Sequence, residues 1–153
     1  SPDHPAFSRG AVFTLYPKFR GQFMSFPEEY QDLLDDNSQA LLYLATIMPD
    51  GSPQVTPVWF STEGEYILIN TNEGRVKDKN MKARPQIALT IQDPNKPYRY
   101  LGIRGEVVSY TTQGADEHVN MLSLRYDNEP WQYMETQRRI IFKIKPVHFD
   151  KHN

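Results

Sequence analysis

The sequence predicts a mainly β protein, built as an antiparallel barrel of six strands with a few short helices. Apolar runs of strand length recur along the chain, residues that favour turns separate them, and the helix-like segments are few and short. With 153 residues, the chain is long enough for one domain with a real core and too short for two ordinary domains. We therefore expect a single barrel domain.

The first half of the chain predicts a helix and then three strands. Residues 25–28 (SFPE) have the capping-box pattern, so a short helix is expected from there to about residue 36. Residues 41–48 (LLYLATIM) form an apolar run, and the Asp-Gly of 49–52 (PDGS) is typical of a hairpin. Residues 54–60 (QVTPVWF) return as its partner, and a turn at 61–64 leads to a strand at 65–71 (EYILINT). Three consecutive antiparallel strands would form a meander.

The second half predicts two more helices and the remaining strands. A basic helix after residue 71 precedes strands at 86–92 and 98–110, and the second of these is expected to bend at Gly102 or Gly105. Residues 115–126 are helical in pattern, with Val119 and Leu122 on one stripe. Residues 138–145 (RRIIFKIK) predict the last strand. We expect an arm at residues 1–23 and the barrel domain at 24–153.

Composition excludes several classes of protein. A net charge of −2 argues against a dedicated nucleic-acid binder, and no apolar run is long enough to cross a bilayer. The lack of cysteine removes disulfides and thiolate sites and fits a reducing, cytoplasmic setting. The histidines lack metal-site spacing, and no nucleophile-elbow, P-loop or Rossmann pattern is present, so we expect no metal site.

The segment TNEGRVKDKNMKARP, residues 71–85, concentrates positive charge. On a helical wheel, Arg75, Lys79 and Lys82 cluster with Asp78, which favours an ordinary solvated face. Lys77 borders the side expected to pack on the sheet, and the first helical turn of Arg75 and Val76 offers free N–H groups. The half of the segment that contains Arg75, Val76 and Lys77 therefore suits a phosphate.

Two other features allow both a structural and a ligand-binding interpretation. Pro57 cannot donate to a strand ladder, so it lies at a plain edge, at a bulge, or at a gap where the backbone of Val55, Thr56 and Val58 meets a flat heterocycle. Tyr98 and Tyr100 share one face of a strand, where they either stack on a ligand or plug the end of the barrel.

Two motifs together resemble a known family. LATIMPDGSPQVTPVWF and YILINTNEGRVKDKNMKARPQIALTI are similar to the flavin and deazaflavin split-barrel proteins of the pyridoxamine 5'-phosphate oxidase-like superfamily. Within it, the branch that uses the deazaflavin coenzyme F420 is the most similar. The resemblance spans about residues 26–145 and implies a six-stranded split barrel, a homodimer and two cofactor sites between the subunits. The C-terminal KIKPVHFDKHN lacks the basic residues with which pyridoxamine phosphate oxidases grip their substrate, which argues against vitamin B6 oxidation.

The resemblance also implies site residues. Thr71, Arg75, Lys77 and Asn80 would hold the phosphate and ribityl region of the cofactor, residues 55–59 would lie along its ring, and Tyr98 and Tyr100 of the partner subunit would approach it. The candidate cofactor-binding residues are Val55, Thr56, Pro57, Val58, Trp59, Asn70, Thr71, Arg75, Val76, Lys77, Asn80, Tyr98 and Tyr100.

Three functions follow as expectations. The first is an F420-dependent reductase that passes hydride to a conjugated or quinone-like small molecule, with no side chain identifiable as the catalytic acid. The second is an FMN-dependent oxidoreductase on the same barrel, since FMN also ends in a phosphate. The third is a protein that binds such a cofactor without turnover.

Overall fold

The computed structural model describes Thr14–Leu15 and residues 24–153 of the chain. The rest of the predicted arm, with its aromatic residues, lies outside the described residues. The strands are β1 (Thr14–Leu15), β2 (Leu42–Ile47), β3 (Pro53–Val58), β4 (Phe60–Glu63), β5 (Tyr66–Asn72), β6 (Gln86–Gln92), β7 (Tyr100–Thr111) and β8 (Arg139–His152). The helices are α1 (Gln31–Leu34), α2 (Val76–Ala83) and α3 (Ala115–Asp127).

The strands form one curled antiparallel sheet in the order β3-β2-β6-β7-β8-β5-β4, with the two-residue β1 paired to β7. The edge strands β3 and β4 follow one another in the chain and are separated by Trp59 alone. The chain therefore steps directly from one edge of the sheet to the other, which brings the two edges together as a half-barrel. The mainly β split-barrel prediction is confirmed.

The sequence predicted six strands, with the first three in a meander, and both predictions were wrong at residues 54–60. The run at 54–60 is divided, because β3 pairs with β2 while Phe60 already pairs with Ile69 of β5. The predicted turn at 61–64 is consequently mostly strand β4. The apolar pattern runs unbroken across this point, since both pieces bury side chains in the same core.

The predicted capping box was also wrong. A 3-10 turn (Glu28–Tyr30) precedes α1, with Pro27 at its N-cap and no side-chain cap. The Ser25 hydroxyl instead donates to a Glu65 carboxylate oxygen across 2.6 Å. Burial holds this segment in place, because Tyr30, Leu33 and Leu34 pack into the core as expected.

The long strands β7 and β8 both contribute side chains to the core. Their pairing shifts register between Arg104 and Gly105 and again between Val107 and Ser109, so the ladder is irregular beside Gly105, while the bend of the strand expected at Gly102 or Gly105 stays a prediction. The strand begins at Tyr100, which leaves Tyr98 in the preceding turn. Among the described residues, none of the helices combines the length and the apolar character that a bilayer crossing requires.

Gly105 allows the close approach of β7 and β8, and Gly105→Ala is expected to destabilise the fold. An added Cβ would lie 2.9 Å from the Lys145 carbonyl oxygen and 2.9 Å from Ile144 Cγ2. Overpacking of this kind typically lowers the free energy of unfolding by about 1–3 kcal/mol. Gly102→Ala is the control, because its nearest contact is the Asp150 Cβ at 3.3 Å. Urea unfolding of both variants checks the prediction, and equal losses would contradict it.

Candidate functional site

A pocket of about 470 Å³ lies where the chain crosses from β3 to β4, a volume typical of small-molecule sites. It is bordered by β3, β5, the start of α2, one face of α3 and the first residue of β8. The lining residues are Leu41, Pro57, Val58, Trp59, Asn70, Thr71, Arg75, Lys77, Val119, Leu122, Trp131 and Arg139.

Three cations border the pocket. Arg75 is the N-cap of α2, Lys77 lies half-buried in the first turn, and Arg139 begins β8. No carboxylate is among the described residues that line the pocket. Burial, followed by the positive charge of Arg75 and then of Arg139, lowers the pKa of Lys77. Burial and the charge of Arg75 lower the pKa of Arg139 to about 10. A bound anion would relieve this repulsion.

A chain of buried hydrogen bonds fixes the position of Arg139. Its Nε donates to Asn70 Oδ1 across 2.8 Å, and its guanidinium lies 4.9 Å from the centre of the Trp131 ring. Asn70 Nδ2 is 2.9 Å from the Ala115 carbonyl oxygen and 3.1 Å from His118 Nδ1. Since that amide nitrogen donates, His118 Nδ1 accepts, and the His118 Nε2 proton faces the Ser61 oxygen at 2.9 Å. These contacts therefore hold the Arg139 guanidinium in the wall of the pocket.

Aromatic side chains give the pocket a flat apolar wall. The Trp59 ring stacks on Tyr126 with centroids 5.4 Å apart and an interplanar angle of 2°. Trp131 meets Trp59 edge to face at 6.2 Å and 82°. Val119 and Leu122 are buried on the side of α3 that the sequence predicted to be apolar. Together these rings and aliphatic groups suit a planar heterocycle.

The helical-wheel interpretation of α2 needs correction. Lys79 is exposed, as the solvated-face prediction requires, but Asp78 is buried and accepts the Gly74 N–H across 2.7 Å. Asp78 also forms a salt bridge of 3.1 Å with Lys82, which therefore does not belong to a merely solvated face. The helical wheel puts Val76 with Asn80 and Ala83 on the side expected to pack on the sheet, but Val76 is 43% exposed. Asp78 is buried because its carboxylate stabilises the turn at Gly74, whose φ of 94° suits glycine.

The structure brings part of the predicted set together at the pocket. The predicted residues that line it are Pro57, Val58, Trp59, Asn70, Thr71, Arg75 and Lys77, and those that do not are Val55, Thr56, Val76, Asn80, Tyr98 and Tyr100. Their roles toward a cofactor stay predictions.

The residues away from the pocket have varied surroundings. Asn80 is buried, and its Nδ2 donates to Thr46 Oγ1 across 3.0 Å. Thr56 Oγ1 is buried with no hydrogen-bond partner among the described residues. Tyr98 is 82% exposed, and Tyr100 stacks on His152 at 4.7 Å.

Sequence reasoning missed Arg139 and Trp131. Arg139 pairs with Asn72 in the β5–β8 ladder, which places it beside a strand that precedes it by more than sixty residues. The doubled arginine at the start of the last predicted strand was the one available signal.

Comparisons with known proteins show the family of the chain and its fold. The model of the pyridoxamine 5'-phosphate oxidase family matches residues 26–153. A solved F420 reductase is 35% identical, with a TM-score of 0.72 over 82% of this chain and 98% of its own. No curated protein sequence matches.

More distant structures share the fold alone. HutZ, the heme storage protein from Vibrio cholerae, is 15% identical with a TM-score of 0.62, over 84% of this chain and 96% of its own. A conserved hypothetical protein from Mycobacterium tuberculosis is 22% identical with a TM-score of 0.58, over 86% of this chain and 87% of its own.

Proposed function

The chain belongs to the pyridoxamine 5'-phosphate oxidase family, and on that premise we propose that it is a reductase dependent on the deazaflavin coenzyme F420. Its substrate is a conjugated or quinone-like small molecule that accepts hydride. The 35% identity to a solved F420 reductase supports the choice of cofactor.

The observation that carries the proposal is a basic cluster and an aromatic wall in one pocket, with no carboxylate among the described residues that line it. Arg75, Lys77 and Arg139 supply the positive charge, and Trp59 and Trp131 supply flat apolar surface. A molecule that joins a phosphate to a planar ring meets both requirements. The residues therefore fit F420, and they also fit FMN, which has the same two chemical parts.

The residues of this chain bind and orient the cofactor. Arg75, Lys77 and Arg139 would hold its phosphate, with the Thr71 hydroxyl beside them, while Pro57, Val58 and Trp59 would lie along its ring. Reduced F420 supplies the hydride when it is bound. The buried aliphatic surface of α3 at Val119 and Leu122 would limit the access of water to the ring.

A second copy of the chain completes the site in this proposal. The outer face of β2 and β3 is apolar, with Tyr43 opposite Pro57 and Ala45 opposite Val55, and Ala88 of β6 lies beside Ala45. Tyr43 and Val55 are exposed large apolar side chains, and burying them against a partner subunit is favourable. Tyr98 and Tyr100 would then approach the cofactor of the other subunit.

Dimerisation is expected to be required for cofactor binding, because the apolar face and the basic pocket meet at Pro57. Sedimentation with and without F420 measures the oligomeric state directly. A stable monomer that binds F420 at full affinity would contradict the shared site.

Pro57→Ala separates two roles of this residue. Pro57 lies in edge strand β3 and also lines the pocket, which supports testing both interpretations of this residue. The free energy of unfolding should fall by about 1 kcal/mol or less, mainly through added entropy of the unfolded chain. Affinity for F420 should fall further, since the strand beneath the ring becomes less rigid. Thermal melts without cofactor and F420 titrations measure the two effects, and unchanged affinity would remove Pro57 from the site.

An acceptor screen tests the proposed activity. The purified protein is mixed with reduced F420 and a series of quinones and conjugated enones, and the return of the oxidised F420 absorbance is followed. Turnover with at least one acceptor is expected. A yellow protein that carries FMN as purified would favour the FMN alternative, and tight F420 binding without turnover would indicate a binding protein.

A further inference from the structure

A buried polar network connects α3 with β4, β5 and β8 beside the cofactor pocket. We propose that two of its members, Asn70 and His118, are positioning residues of the anion site, which act on a bound phosphate only through Arg139. This inference rests on the proposed F420-dependent function, because it takes Arg139 to hold the phosphate of the cofactor.

The members of the network are buried although they are polar. Ser61, Asn70 and His118 are 2%, 7% and 0% exposed, and the buried neighbours of His118 on α3 include Val119 and Leu122. A buried polar side chain costs free energy unless its donors and acceptors are paired, so an aliphatic residue would fill position 118 at lower cost. The histidine therefore points to a role that an aliphatic side chain cannot perform.

The side chain of Asn70 has both of its N–H groups engaged. Its Nδ2 lies 2.9 Å from the Ala115 carbonyl oxygen and 3.1 Å from His118 Nδ1. A primary amide carries two N–H donors, so neither remains for an ionised phosphate, which only accepts hydrogen bonds. Asn70 lines the pocket, but what it supplies there is Oδ1, which accepts the Arg139 Nε–H across 2.8 Å.

The partners of the Asn70 amide decide which of its ends faces Arg139. The Ala115 carbonyl oxygen only accepts, so the Nδ2 end faces α3 and the Oδ1 end faces β8. His118 Nδ1 takes the second N–H and keeps the amide from turning toward another acceptor. The Ser61 hydroxyl oxygen, 2.9 Å from His118 Nε2, accepts the ring proton and so leaves Nδ1 as the acceptor. A turned amide would place its N–H groups against the Arg139 N–H.

The bond at Nε determines what Arg139 can offer a ligand. With Nε–H given to Asn70 and the guanidinium 4.9 Å from the centre of the Trp131 ring, the side chain is restrained on two sides. The two terminal nitrogens can then form the paired contact that suits a phosphate oxygen pair. Without the acceptor the side chain could rotate, and binding would have to order it again.

Variants with and without Arg139 test whether the network acts through that residue. Asn70→Ala is expected to weaken F420 binding by about three- to tenfold, and His118→Leu by about threefold. In the Arg139→Met background either change should alter the Kd for F420 by less than about twofold, because effects that pass through one residue are not additive. His118→Gln, whose amide oxygen can accept the Asn70 N–H, should keep the original affinity within about twofold.

The Arg139 Nε–H gives a readout in the cofactor-free protein. Its NMR signal should exchange slowly with water, and exchange should become faster in Asn70→Ala and in His118→Leu. Thr111→Val is the matched control, because the Thr111 hydroxyl is buried and accepts the Gln113 N–H across 3.1 Å but does not line the pocket. This variant should change neither the Arg139 signal nor the Kd for F420. Thermal melts verify that each variant folds.

The outcomes separate the proposal from the proposed function. Equal losses of F420 affinity from Asn70→Ala with and without Arg139 would show a direct contact between Asn70 and the cofactor, and would overturn the proposal. An Arg139 signal that is unchanged in both Asn70→Ala and His118→Leu would also overturn it. Absence of F420 binding by the unsubstituted protein would overturn the proposed function, and the Arg139 signal would then decide the positioning alone. If His118→Leu does not fold, Asn70→Ala supplies both measurements.

Discussion

Lys77→Ala is expected to weaken F420 binding by about tenfold or more, since a charge-assisted hydrogen bond to phosphate contributes roughly 1.5–3 kcal/mol. The Lys77 side chain is half-buried at the pocket, and it has no acidic partner within the described part of the chain. Lys79→Ala is the matched control, because Lys79 lies on the same helix, is exposed and does not line the pocket. Fluorescence titration of F420 at moderate salt compares the two variants.

The stability of the Lys77 variant without cofactor distinguishes binding from a structural role. The pKa of Lys77 is lowered in the fold, so its charged form is less favourable there than in the unfolded chain. Removing the cation should therefore leave the melting temperature unchanged or raise it near neutral pH, where lysine is charged in the unfolded state. Equal losses of affinity in both lysine variants, or a large drop in stability for Lys77→Ala, would contradict the role assigned to Lys77.

Arg139→Met is expected to weaken F420 binding at least as strongly as Lys77→Ala does. The variant removes a cation from the anion site and leaves Asn70 Oδ1 without its donor, while the aliphatic part of the side chain keeps some contact with Trp131. The loss of one charge-assisted hydrogen bond is by itself enough to weaken F420 binding by about tenfold or more. Arg138→Met is the control, since Arg138 precedes it in the chain and its side chain is 71% exposed.

The pH dependence of binding gives Arg139 a signature that a structural residue would lack. Its pKa is lowered to about 10 in the cofactor-free protein, and a bound phosphate would raise it again. Binding should therefore take up protons near that pH, and F420 affinity should fall as the pH rises through about 10. In Arg139→Met this decline should become shallower, with the remainder attributable to Lys77. An equally steep decline in the variant would contradict the assignment.

The local elements of the fold were largely predictable from sequence, because each depends on nearby residues. The Asp-Gly turn at residues 50–51 joins β2 and β3 as expected, and β6 occupies the predicted residues 86–92. The division at Trp59 was not predictable, since which edge a strand joins is decided by sheet closure and not by alternation of apolar residues.

The residues of the candidate site divide in the same way. Some could be predicted from a short stretch of sequence, and others depend on pairing between distant parts of the chain. Arg75 and Lys77 lie in one short basic segment, so the sequence pointed to both. Arg139 and Trp131 reach the pocket through the pairing of β8 with β5 and the packing of α3, which bring distant parts of the chain together. The burial of Asp78 also escaped the helical wheel, because its partner is the backbone N–H of Gly74 outside the helix.

Paired titrations of the purified protein with F420 and with FMN test the central claim most directly. The protein should be colourless as purified, bind F420 in a saturable manner and bind FMN more weakly. The Lys77→Ala and Arg139→Met variants should lose F420 affinity, while Lys79→Ala and Arg138→Met retain it. A protein that carries FMN, or one that binds FMN more tightly than F420, would contradict the account.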